Sequence, residues 1–103
     1  MAKYLLVYLG GDAPTSEDDG KAVMDAWVAW FTALGPAVVD PGNPCGSSGA
    51  IASDGSVTTA TSGVGGYSLL SADSLDAALE MAKGCPHLSA NGSVEVYETI
   101  DIM

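Results

Sequence analysis

The fold is decided by residues 65–98. They begin Gly65-Gly66-Tyr67-Ser68-Leu69-Leu70, continue Ala72-Asp73-Ser74-Leu75-Asp76-Ala77-Ala78-Leu79 and Gly84-Cys85-Pro86-His87, and end Asn91-Gly92-Ser93-Val94-Glu95-Val96-Tyr97-Glu98. Gly66–Leu70 has the apolar, aromatic character of a sheet strand, and Asp73-Ser74 supplies a helix cap in front of Leu75. Leu75, Ala78, Leu79 and Ala82 recur at helical spacing and predict the buried stripe, which Gly84 and Pro86 bring to a close. After Asn91-Gly92 the run 93–98 alternates as a half-buried or edge strand does. The segment is one strand-helix-strand unit.

The first half of the chain repeats this plan. Residues 2–9 are apolar on both alternating faces, which describes a central strand. Gly10–Pro14 breaks it, and Thr15 or Ser16 before Glu17, Asp18 and Asp19 predicts a capped helix start. Val23, Ala26, Trp27, Trp30, Ala33 and Leu34 form its apolar stripe, until Gly35-Pro36 ends it. Ala37–Asp40 is a short strand stopped by Pro41-Gly42-Asn43-Pro44. Between residues 45 and 66, rich in Gly, Ser, Thr and Ala, Ala50–Ala52 and Ser56–Thr58 pair as a small hairpin around Asp54-Gly55. The sum is β-α-β-β-α-β: an α+β, ferredoxin-like two-layer sandwich with an extra hairpin in the middle, one domain over residues 1–103.

Composition narrows the function. Of 103 residues 48% are hydrophobic and 16% charged, and no apolar run approaches the length of a membrane span. Three basic against thirteen acidic side chains leave a formal charge of −10, which repels phosphate backbones and anionic lipid and argues against nucleic-acid or membrane partners. Two cysteines and no export signal at the start of the chain place the expected setting in a reducing cytoplasm. No nucleotide-binding glycine motif and no metal-ligand spacing is present, so neither a cofactor nor a metal is expected.

The topology gathers three connections at one end of the sheet: Gly10–Pro14, the excursion Pro41–Gly65, and Cys85–Gly92. Asp12, Asp40, Cys45, Asp54, Cys85 and His87 all belong to that end, where a site is expected. His87, the single histidine, is a candidate acid or base; its structural alternative is a loop residue donating to a nearby carbonyl. Asp54-Gly55 is first a turn dipeptide, with a ligand-orienting role for Asp54 as the alternative. Cys45 and Cys85 read as free structural thiols. Tyr4, Leu6 and Tyr8 share the strand face opposite Leu5, Val7 and Leu9; with the latter under the helices, the former populate an open face expected to pack against a second copy of the chain, the alternative being a monomer with an amphipathic tyrosine face.

Over residues 65–98, and again at Tyr4-Leu5-Leu6-Val7-Tyr8, the chain resembles the YCII-related family in its DGPF-type branch. The resemblance implies a ferredoxin-like fold paired as a dimeric α/β barrel, in small bacterial proteins whose biochemistry is mostly unassigned. The enzymatic role proposed for the family rests on a histidine and an aspartate near a pocket. Here residues 1–86 hold no histidine, and His87 follows Cys85-Pro86 near the end of the second helix. The branch's Asp-Gly-Pro-Phe signature stands as Asp54-Gly55-Ser56-Val57, without its proline and phenylalanine.

Two functions follow as expectations. The first is a homodimeric small-molecule-binding protein acting on an organic metabolite by acid-base chemistry such as isomerisation or lactone opening. In that reading His87 and Asp54 are the catalytic candidates, and Asp12, Tyr8, Tyr67 and Cys85 line the ligand site. The second is a non-catalytic regulatory or protein-interaction module using the dimer surface.

Overall fold

The structure is a computed structural model that describes residues 1–102. Its strands are β1 (Ala2–Gly10), β2 (Val38–Asp40), β3 (Ala50–Ile51), β4 (Val57–Thr58), β5 (Val64–Ala72) and β6 (Gly92–Glu98). Its helices are α1 (Glu17–Leu34) and α2 (Leu75–Ala82), with 3₁₀ segments at Gly35–Ala37 and Pro86–Ala90. β2, β5, β1 and β6 form one sheet in that order, with every neighbouring pair antiparallel, while β3 and β4 form a separate two-stranded hairpin. Two helices on one side of this sheet make the ferredoxin-like α+β arrangement expected from the element order.

Each helix starts where its cap allows. Ser16 Oγ accepts from the Asp19 amide at 3.0 Å while Asp19 Oδ2 accepts from the Thr15 amide at 2.9 Å, so two otherwise orphaned donors are satisfied together. Ser74 Oγ does the same for the Ala77 amide at 3.1 Å.

The assignment of the two sheet faces is corrected. Tyr4, Leu6 and Tyr8, expected on the open face, are buried beneath the helices with Trp30, Leu70, Ala72, Ala78, Ala82 and Cys85. Leu5, Val7 and Leu9 lie on the uncovered face and are half-buried. Both faces of β1 are apolar, so alternation alone is blind to which is inside. Side-chain volume decides it: α2 approaches the sheet through Ala78 and Ala82, and the large residues that fill the space above such a helix must come from the strand. The buried phenol of Tyr8 also finds a partner there, donating to Ser68 Oγ at 2.6 Å, and Ser68 in turn donates to the Pro41 carbonyl at 2.6 Å.

The helix stripes shift as well. Leu75 and Leu79 are 45% and 41% exposed, because α2 is rotated toward Ala77 and Met81, which pack on the core beside Ala78 and Ala82. On α1, Ala26 and Ala33 are exposed, and the inner side is made by Trp27, Trp30, Phe31 and Leu34. β5 is longer than expected, starting at Val64; a register shift opposite Tyr8/Leu9 takes up Gly65.

Candidate functional site

The three loops do meet at one end of the sheet. The Gly10 amide donates to the Gly63 carbonyl at 3.1 Å, the Asp12 amide to the Ala90 carbonyl at 2.7 Å, and the Cys45 amide to the Gly65 carbonyl at 2.9 Å. Between this end, α1 and the 3₁₀ segment after α2 lies a groove of about 870 Å³. That volume falls within the range of small-molecule sites.

One wall of the groove is His87. Its Nε2 lies 2.9 Å from the Leu9 carbonyl oxygen, and because a carbonyl can only accept, Nε2 carries the ring proton. In the neutral ring the lone pair is therefore on Nδ1, which among the described residues takes no hydrogen bond. The ring is wedged between two glycines: a Cβ on Gly11 would stand 2.5 Å from Cε1, and one on Gly92 would overlap Nε2. Gly11 also sits at φ +93°, so both its conformation and its close approach require glycine. Tyr8 closes the inner side, its ring centroid 5.8 Å from that of His87. The alternative raised for His87, a donor to a nearby carbonyl, describes the Nε2 contact and leaves Nδ1 free.

Asp12 lines the same groove, its carboxylate accepting from Asn91 Nδ2 at 2.6 Å. Among the described residues no carboxylate lies within 4.0 Å of the imidazole, the one ion pair being Lys83 with Glu80 on the exposed side of α2. Asp54 is in the β3–β4 turn, outside the groove lining, where Oδ1 accepts from the Ser56 amide at 2.9 Å. That bond holds its carboxyl below the ordinary aspartate range. Asp40 caps its own loop in the same way, accepting from the Gly42 amide at 2.8 Å.

Tyr8 and Cys85 lie beneath the site rather than in it. Burial pushes the Tyr8 phenol up to about 12 and the Cys85 thiol up to about 11, so both are neutral and unreactive near neutral pH. Cys45 is exposed in the β2–β3 connection, and both cysteines are free. Tyr67 is on the uncovered sheet face, paired in register with Val7. Among the described residues no cluster of metal-ligating side chains occurs, and no helix is long and apolar enough to cross a membrane.

Sequence reasoning missed the other wall. Asp19, Val23, Trp27 and Trp30 line the groove at helical spacing, together with Pro14 and Thr15. Trp27 meets Tyr8 edge-on at 4.9 Å between centroids, and Trp30 Nε1 donates to the Met81 carbonyl at 3.2 Å. The signal was present: Asp19, one of the acids read as a helix start, shares one face with Val23, Trp27 and Trp30.

Residues 4–103, nearly the whole chain, match the YCII-related domain family. The chain belongs to the YCII-related family. No curated protein matches it. Membership in the YCII-related family agrees with the α+β fold.

Proposed function

We propose that this YCII-related protein binds a small organic metabolite in the groove between α1 and the Pro86–Ala90 segment, and that His87 moves a proton to and from it through Nδ1. The observation that carries this reading is the pinned imidazole: Nε2 is committed to the Leu9 carbonyl, so one tautomer is selected and the basic atom is left free at a groove of ligand size. Asp12, on the same lining, orients polar groups of the ligand. The acting species in this proposal is a homodimer, because Leu5, Val7, Leu9, Leu69, Tyr67 and Tyr97 leave an apolar sheet face uncovered.

The experiment is a ligand screen read by NMR at the two indole N–H groups and the His87 ring, followed in D₂O by hydrogen exchange at an acidic C–H of whichever ligand binds. Exchange catalysed by the wild type and lost in His87→Gln supports the proposal; a bound ligand with exchange indifferent to His87→Gln overturns the proton-transfer role. A second reading has its own observation, the tight packing of the ring between Gly11 and Gly92, which makes His87 a staple joining β1 to β6. In that case His87→Gln lowers thermal stability and leaves ligand binding and exchange unchanged.

A further inference from the structure

The groove has a definite electrostatic sign. Asp12 and Asp19 both line it, and among the described residues no lysine does. Their hydrogen-bond donors are neutral: the Asn91 side-chain amide for Asp12 and the Thr15 backbone amide for Asp19. Neither forms an ion pair, and Asp19 is met only by the partial positive charge at the start of α1. The chain as a whole, these two residues included, carries a formal −10, so the field in the groove disfavours anions. Trp27 and Trp30 line the same groove, and an indole ring attracts cations to its face through its quadrupole. Trp27 is only half-buried, which leaves part of its ring available to a ligand.

We infer that the ligand of this groove is a cationic organic molecule, an amine or quaternary ammonium with an apolar body, held by Asp12 and Asp19 and packed against Trp27. The inference rests on the groove being a ligand site, and it adds the ligand's charge class. Carboxylate and phosphate-bearing metabolites are excluded by the same charges that favour the cation. The Ala22, Val23 and Pro86 lining receives the apolar body, so affinity requires both parts.

The test uses three probes of matched shape on the intact chain: benzylammonium, benzyl alcohol and benzoate, each titrated to millimolar concentration while the Trp27 and Trp30 indole N–H resonances are followed. Benzylammonium is expected to bind roughly tenfold more tightly than the alcohol, and benzoate more weakly than either. Asp12→Asn and Asp19→Asn each keep one acceptor oxygen, enough for the single hydrogen bond each carboxylate accepts, and remove the charge. Each is expected to weaken the ammonium severalfold and leave the alcohol unchanged, and added salt should act in the same direction. Alcohol or benzoate binding as tightly as the ammonium overturns the charge assignment while leaving the groove intact as a ligand site. Failure of all three probes to perturb the indoles overturns the groove reading, and this inference with it.

Discussion

The two faces of β1 carry similar residues and have different fates. Tyr4, Leu6 and Tyr8 are at most 6% exposed beneath the helices, while Leu5, Val7 and Leu9 on the other face stay half-buried and Tyr97 beside them on β6 is 51% exposed. On the covered face, register sets Tyr4 against Leu70, and Leu6 against Ser68 and Val96. On the uncovered one it sets Leu5 against Leu69 and Tyr97, and Val7 against Tyr67 and Glu95. The difference teaches that apolar character marks a surface to be covered without saying by what. One face is covered within the chain, and under our proposal the other is covered by a second copy.

The largest effect expected from this comparison is at Leu6. Leu6→Ala should destabilise by about 2–5 kcal/mol in urea unfolding, since the side chain is fully buried, whereas Val7→Ala in the next position should cost under about 1 kcal/mol of the monomer's stability. Equal losses at both positions would erase the distinction between the faces. Trp30→Ala, in the same core, should cost about 3–5 kcal/mol.

Next in size is the polar element of the covered face. Tyr8→Phe removes the donor to Ser68 yet leaves Ser68 its bond to the Pro41 carbonyl, so a loss of about 1 kcal/mol is expected. Alkali probes the same residues. Tyr8 and Cys85 have folded values raised above their ordinary 10.0 and 9.0, so the unfolded chain releases these protons first. Stability should be fully present below pH 9, decline as pH rises, and level off only above about 12. A urea midpoint that falls over this window in the wild type and less steeply in Tyr8→Phe is the expected result.

The smallest effect on folding, and the most telling for the uncovered face, is that of Leu5→Lys. It should leave the monomer's unfolding within about 1 kcal/mol of wild type while halving the mass seen by light scattering at micromolar concentration. The charge of −10 on each copy opposes association, so added salt should strengthen the wild-type dimer. A wild type already monomeric at every salt concentration would remove the second copy as the cover of this face.

The same contrast marks how far the residues could be read in order. Element order was legible because caps and stops are local: Ser16, Gly35, Ser74 and Asn91 act on the backbone within a few positions of themselves. The turn role of Asp54 was legible for the same reason. The site was legible only in part. His87 and Asp12 were placed at the right end by topology, but the tryptophan wall was not, because whether an amphipathic helix seals against a sheet or stands off it on bulky rings depends on the residues opposite.

By itself the sequence determined the β-α-β-β-α-β order, the strongly acidic net charge, and the end at which the loops collect, all of which follow from backbone propensity, periodicity and composition. The tertiary structure alone decided which face of β1 is inside, how α2 is rotated, and that His87 has one nitrogen committed to Leu9 and the other free. Those outcomes depend on volumes and hydrogen-bond partners that lie far apart in the chain, Ala78 and Ala82 against Tyr4, Ser68 against Tyr8, Gly11 and Gly92 against His87, and such complementarity exists only once the elements are packed.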